Sequence, residues 1–138
     1  MTNIFLDTNI IIDFLADRRP FSLLAAKIFN YALHGKVKVF ISAVSYNNIY
    51  YILRQSLTNR ETIKLLDELC EMTEIADVTK AIIKKSLKTN FKDFEDAIQY
   101  FTAIENDQEL IVNRNQSDFK DSKIPVMSAA EFIKSILK

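Results

Sequence analysis

The stretch Asn3-Ile4-Phe5-Leu6-Asp7-Thr8-Asn9-Ile10-Ile11-Ile12-Asp13 constrains the fold more than any other part of the chain. Ile4, Phe5 and Leu6 form a short apolar run of high strand propensity. The run stops at Asp7. A strand buried on both faces has no place for an unpaired carboxylate, because burying that charge is costly. Asp7 is therefore expected where the strand ends, in the crevice at the carboxyl edge of an open sheet, where ligands of α/β folds bind. Thr8 and Asn9 are cap-type residues, and Ile10, Ile11, Phe14 and Leu15 follow at helical spacing. The electropositive helix N-terminus favours a carboxylate or an anion beside it. Asp7, Thr8 and Asn9 also read as ordinary capping of that helix.

The rest of the chain repeats the alternation of strand and helix. Ala16–Pro20 reads as a loop, Ser22 as the cap of a second helix, and Gly35, the sole glycine, as that helix's C-terminal stop. Lys38–Ile41 is a second strand, and Ser42–Ser45 opens a long helix. Thr58–Glu61 has the form of a capping box before a helix over Thr62–Glu71, with Ile63, Leu66 and Cys70 along its apolar stripe. Thr73–Ala76 is a short third strand, and Thr79 caps a helix carrying Lys80, Lys84 and Lys88 on one face. Asp93–Ile98 starts a helix that runs to about Glu105. Leu110–Val112 is a compact buried strand, Ile124–Val126 a last edge segment, and Ser128–Glu131 a capping box for the terminal helix. This order predicts an α/β class: a three-layer α/β/α sandwich around a mainly parallel central sheet, in one domain over residues 1–138.

Composition narrows the chemistry by exclusion. One histidine, His34, leaves no Ser-His-Asp triad and no paired-histidine zinc site within the chain. One glycine leaves no phosphate-cradling loop. One cysteine, Cys70, excludes an internal disulfide and is compatible with a reducing cytoplasm. No apolar run is long enough to span a bilayer. Lysine plus arginine and aspartate plus glutamate both number 18, so any binding of a polyanion must come from local patches. The remaining chemistry belongs to carboxylates, amides and hydroxyls.

Those groups gather directly after buried strands. Asp7 ends the first, Ser42 follows the second, and Asn113, Asn115 and Asp118 follow the Leu110–Val112 strand. In a parallel sheet these ends share one edge. Asp93 and Asp96 stand three residues apart at a helix start and so share a face, although an N-cap with an acid at the third position is also ordinary capping. Their convergence predicts an acidic pocket. Like charges about 4 Å apart repel by roughly 4 kcal/mol at a surface-like dielectric. Such a pocket calls for a cation or for raised pKa values. Hard oxygen donors without histidine or cysteine point to Mg²⁺ or Mn²⁺. Basic residues around it, among them Arg18, Arg114, Lys84 and Lys88, suit a polyanionic substrate held by its backbone.

Leu6-Asp7-Thr8-Asn9, Asp96-Ala97 at a late helix start, and Asn113-Arg114-Asn115-Gln116-Ser117-Asp118-Phe119 after an apolar strand resemble the PIN domain family, which includes VapC-like toxin ribonucleases. The resemblance covers essentially the whole chain. It implies a metal-dependent endoribonuclease with a parallel sheet and a cluster of three or four acids. It also implies RNA as substrate, an antitoxin protein as partner, a homodimer and a cytoplasmic location. Carried over, Asp7 and Asp96 are the metal ligands, Asp93 supports them, Asn9 orients Asp7, and Ser42 or Ser45 forms the pocket wall. Two positions depart from the family pattern. Asn48 stands where a glutamate is common, and Asn115 stands at the last acidic position, with Asp118 three residues on as a substitute.

Three readings follow. The first is a Mg²⁺- or Mn²⁺-dependent ribonuclease in which Asp93 places or deprotonates the attacking water. The second is a PIN-like module that binds RNA or a protein partner without cleavage, which the Asn48 and Asn115 changes favour and the intact Asp7, Asp93 and Asp96 disfavour. The third is a phosphotransfer enzyme with aspartate after its first strand. A haloacid-dehalogenase type wants a second aspartate where Asn9 stands, and a response-regulator type wants an acidic pair and a late lysine that are not evident here.

Overall fold

A computed structural model describes residues 2–137, without the side chains of residues 118 and 137. In chain order the elements are β1 (Thr2–Leu6), α1 (Thr8–Leu15), α2 (Phe21–Leu33), β2 (Val37–Ser42), α3 (Ala43–Leu53) and α4 (Asn59–Met72). Then come β3 (Glu74–Ala76), α5 (Lys80–Leu87), α6 (Phe94–Glu105) and β4 (Leu110–Val112). A 3₁₀ turn (Gln116–Phe119), β5 (Val126–Met127) and α7 (Ala129–Leu137) complete the described residues.

The five strands form one sheet in the order β3-β2-β1-β4-β5, and every neighbouring pair is parallel. The chain winds outward from β1 through β2 to β3, then crosses back to place β4 on the other side of β1. The winding direction therefore reverses between β1 and β4, and Leu6 lies opposite Val112 there. That is the switch point at which open α/β sheets form a crevice. The expected α/β/α class with a mainly parallel sheet holds, and the sheet is parallel throughout.

The apolar strands are buried on both faces, so their side chains divide by the two-residue period. Ile4 and Leu6 join one core with α1, α2, Ile49 and Leu53 of α3, Leu69 of α4, and Phe132 of α7. Phe5, between them in sequence, joins the opposite core with Ile111, Tyr100 and Ala103 of α6, and Phe119. α5 packs against α6 on that second face.

Both capping boxes form as read. Thr58 and Glu61 exchange hydrogen bonds at 3.0 and 3.1 Å, as do Ser128 and Glu131. Gly35 takes a φ of +71° just after His34, the α2 C-cap. Three local readings need correction. Ser22 does not cap α2, because Pro20 stands at the cap position and carries Ser22 into the first turn, where it is buried. The buried side of α4 runs through Thr62 and Leu69, with Leu65 and Leu66 partly buried, while Ile63 and Cys70 face outward. Both stripes have helical period, and the packing of α4 against α3 selects the first. The last strand is Val126–Met127 rather than Ile124–Val126. Among the described residues no helix is long and apolar enough to cross a membrane.

Candidate active site

Asp7 stands where β1 becomes α1. Its backbone N–H still donates to the Val112 carbonyl at 3.0 Å, so the residue belongs to the sheet edge. Its side chain has already turned to the helix, with Oδ2 accepting the Asn9 N–H at 3.3 Å. The carboxylate is 5% exposed. The capping reading and the crevice reading are both true of this residue, because a helix N-terminus at the switch point stabilises the carboxylate aimed there.

α6 brings the second group of acids. Asp93 is its N-cap, with Oδ1 accepting the Asp96 N–H at 3.1 Å. Glu95 and Asp96 occupy the first turn, where the helix dipole favours negative charge. The two elements meet over a pocket of about 280 Å³ lined by Asp7, Thr8, Asn9, Asn48, Asp93, Glu95 and Asp96, with Ile12 and Ile52 as apolar walls. Across it, Asn48 Nδ2 of α3 donates to Glu95 Oε1 at 3.2 Å.

A buried polar knot lies beneath the pocket. Gln99, one turn after Asp96 on α6, donates through Nε2 to Thr8 Oγ1 at 2.8 Å and Ser45 Oγ at 3.0 Å. The two hydroxyls are themselves 2.8 Å apart. Thr8, Ser45 and Gln99 belong to α1, α3 and α6, and all three side chains are buried. A buried polar group without a partner costs about 1–3 kcal/mol, so breaking one corner of the knot leaves its mates unpaired. The knot thus fixes the spacing of the three helices that carry the pocket residues.

Of the residues singled out in the sequence, Asp7, Asn9, Asn48, Asp93 and Asp96 share this pocket. Ser42 is not among the lining residues: it is fully buried and caps α3 by accepting the Val44 N–H at 3.2 Å. Ser45 sits one layer below, in the knot. Asn115 is also absent from the lining, and its Oδ1 accepts the Ser117 hydroxyl at 2.7 Å. Residue 118 falls in the 3₁₀ turn, and the side chain of Asp118 lies outside the described residues. Arg18, Lys84 and Lys88 are exposed. Arg114 is turned inward, with its guanidinium 4.4 Å from the Phe21 ring centroid and 3.4 Å from Asp13 Oδ1. Sequence reasoning passed over Glu95 and Gln99. A glutamate in a first turn reads as dipole compensation, and only its bond to α3 distinguishes it. Gln99 carried a usable signal, an amide three residues after Asp96 on an otherwise apolar helix face.

The donor set is carboxylate and amide oxygen. His34 and Cys70 lie elsewhere, on α2's C-terminus and the outside of α4. Among the described residues no three histidine, cysteine or acidic side chains converge as a ready metal cage. Mg²⁺ is commonly held by one or two carboxylates and keeps several waters, so an acid-lined open pocket fits a partly hydrated hard cation.

A parallel α/β sheet with an acid-lined pocket at its switch point defines a ligand-binding α/β protein whose site chemistry is carboxylate-based. The chain belongs to the PIN domain family, whose pattern matches residues 3–117. Ribonuclease VapC1 of Aquifex aeolicus is 27% identical over 134 residues, covering 94% of this chain and 92% of that protein. Among solved structures, a DNA-bound VapBC from Salmonella typhimurium superposes with a TM-score of 0.72 at 16% identity, over 94% of this chain and 99% of that one. A toxin–antitoxin complex from Klebsiella pneumoniae gives 0.66 at 24% identity, over 91% and 97%.

Proposed function

We propose that this protein is a Mg²⁺- or Mn²⁺-dependent endoribonuclease, built as one PIN domain over residues 1–138, and the toxin half of a toxin–antitoxin pair. The observation that carries the reading is that Asp7 and Asp96, distant in sequence, line one pocket at the sheet's switch point in a PIN-family chain. The relative named Ribonuclease VapC1 and the toxin–antitoxin complexes among the structural neighbours support it.

Asp7 and Asp96 hold the cation. When bound, it acts as a Lewis acid toward a phosphodiester and offsets charge on the leaving oxygen. Asp7 is buried and tied at both ends, so it contributes a fixed donor rather than a mobile one. Asp93 places the attacking water and accepts its proton, while Asn9 orients Asp7. Ile12 and Ile52 keep one wall dry, which strengthens the electrostatics inside. Arg18, Lys84 and Lys88 meet the RNA backbone outside the pocket. The protein acts in the cytoplasm, as a homodimer that its antitoxin neutralises.

A second reading, a module that binds RNA or a protein without cutting, is favoured by the lack of three converging acids among the described residues. The two are separated by cleavage of single-stranded RNA in Mn²⁺ or Mg²⁺. The ribonuclease reading expects cleavage by the parent and a loss of more than about 100-fold in Asp7→Asn, since even outer-shell changes at metal sites cost about 10–100-fold. The same background from both proteins would leave only the binding module.

A further inference from the structure

We infer that Glu95 is a third anchoring carboxylate of the pocket and that Asn48 is the residue that positions it. The inference rests on the reading above that the pocket takes Mg²⁺ or Mn²⁺.

Glu95 and Asp96 are consecutive on α6, so their side chains leave the helix about 100° apart. Asp96 can share a face with the Asp93 cap, whereas Glu95 has no reason of helix geometry to join them. Its long, exposed side chain could extend into water, where repulsion from Asp7, Asp93 and Asp96 would drive it. Instead Glu95 lines the same pocket as those three acids, and its Oε1 accepts a hydrogen bond from Asn48 Nδ2 at 3.2 Å. Asn48 comes from α3, whose position the Thr8–Ser45–Gln99 knot fixes relative to α1 and α6. The amide is the side chain suited to this task. It can donate to a carboxylate and so draw it in, where an acid at the same place would repel it. With Asn48 as donor, one Glu95 oxygen is oriented and the other keeps acceptor capacity toward the pocket. Holding a fourth acid against three others is unfavourable without a cation and favourable with one. A mere tie between two helices would leave cation binding unaffected by the charge at residue 95.

Calorimetric titration with Mn²⁺, in the absence of RNA, tests this on the full chain. The variants are Asp7→Asn, Glu95→Gln, Asn48→Ala and the exchange Asn48→Glu with Glu95→Gln. We expect Glu95→Gln to weaken Mn²⁺ binding by about 10-fold or more, and Asn48→Ala to weaken it by a smaller factor. Melting temperatures without metal should stay at the parent value, which separates positioning from folding. The exchange variant reverses donor and acceptor across the same gap and should recover most of the affinity. Full affinity in Glu95→Gln, with binding lost in Asp7→Asn, would overturn the inference and leave the two-aspartate site standing. A parent that binds no Mn²⁺ would overturn that reading of the pocket and this inference with it. Weak binding that the exchange fails to recover would overturn the assignment of Asn48.

Discussion

Asp13 shows how burial can override what a residue's type suggests. It lies one helical turn beyond Asn9 on α1, and only 1% of its surface is exposed. Arg114 approaches to 3.4 Å, an ion-pair distance, yet neither Asp13 oxygen has a hydrogen bond of good geometry among the described residues. Desolvation raises its pKa above 3.8, with Arg114 and then Arg18 pulling the other way. A raised folded-state value means that the folded chain holds the proton more tightly than the unfolded chain. Below about pH 3.8 both states are protonated and this group carries no penalty. As pH rises toward the folded value the unfolded state loses its proton first, and stability falls. Asp13→Asn should therefore gain stability relative to the parent between pH 3.5 and pH 7, read from urea melts at the two values. A difference that shrinks as pH rises would contradict the burial argument. Nothing in the residue string distinguishes Asp13 from Asp7, both flanking the same apolar run. The difference is that Asp7 opens onto a pocket, while Asp13 is covered by α2, Arg114 and the start of α7.

At the scale of elements, chain ends were the most legible feature, because caps are local chemistry. Thr58, Thr79, Asp93 and Ser128 announce their helices within three or four residues. Gly35 ends α2 with a φ of +71° and with no atom within 4 Å of where a Cβ would sit. Its requirement is thus one of backbone conformation rather than space. Gly35→Ala should cost about 1 kcal/mol, measured by thermal or urea unfolding, the left-handed strain being partly offset by a less flexible unfolded chain. Ser22 and the stripe on α4 were misread for a common reason. Each offers two equally good local patterns, and a partner element chooses between them: Pro20 displaces the start of α2, and α3 turns Leu69 inward instead of Cys70.

At the scale of the whole molecule, the proposed activity has a consequence in the cell. A toxin ribonuclease expressed without its antitoxin should arrest growth, and Asp7→Asn should relieve that arrest at equal expression, followed as culture density after induction. Unimpaired growth with the parent chain at high soluble yield would count against the toxin role. What the amino-acid sequence determined by itself was the alternation of strand and helix, the parallel α/β class, and the placing of Asp7 at a strand's carboxyl end. These follow from periodicity, capping and the cost of burying a charge, all of which act over a few residues. Only the tertiary structure decided that β4 returns beside β1, that Ser42 and Asn115 stay out of the pocket, and that Glu95 and Asn48 meet across it. Gln99, likewise, became part of the site only when three helices closed around its amide. Contacts of this kind depend on how whole elements pack, and distance along the chain carries little information about them.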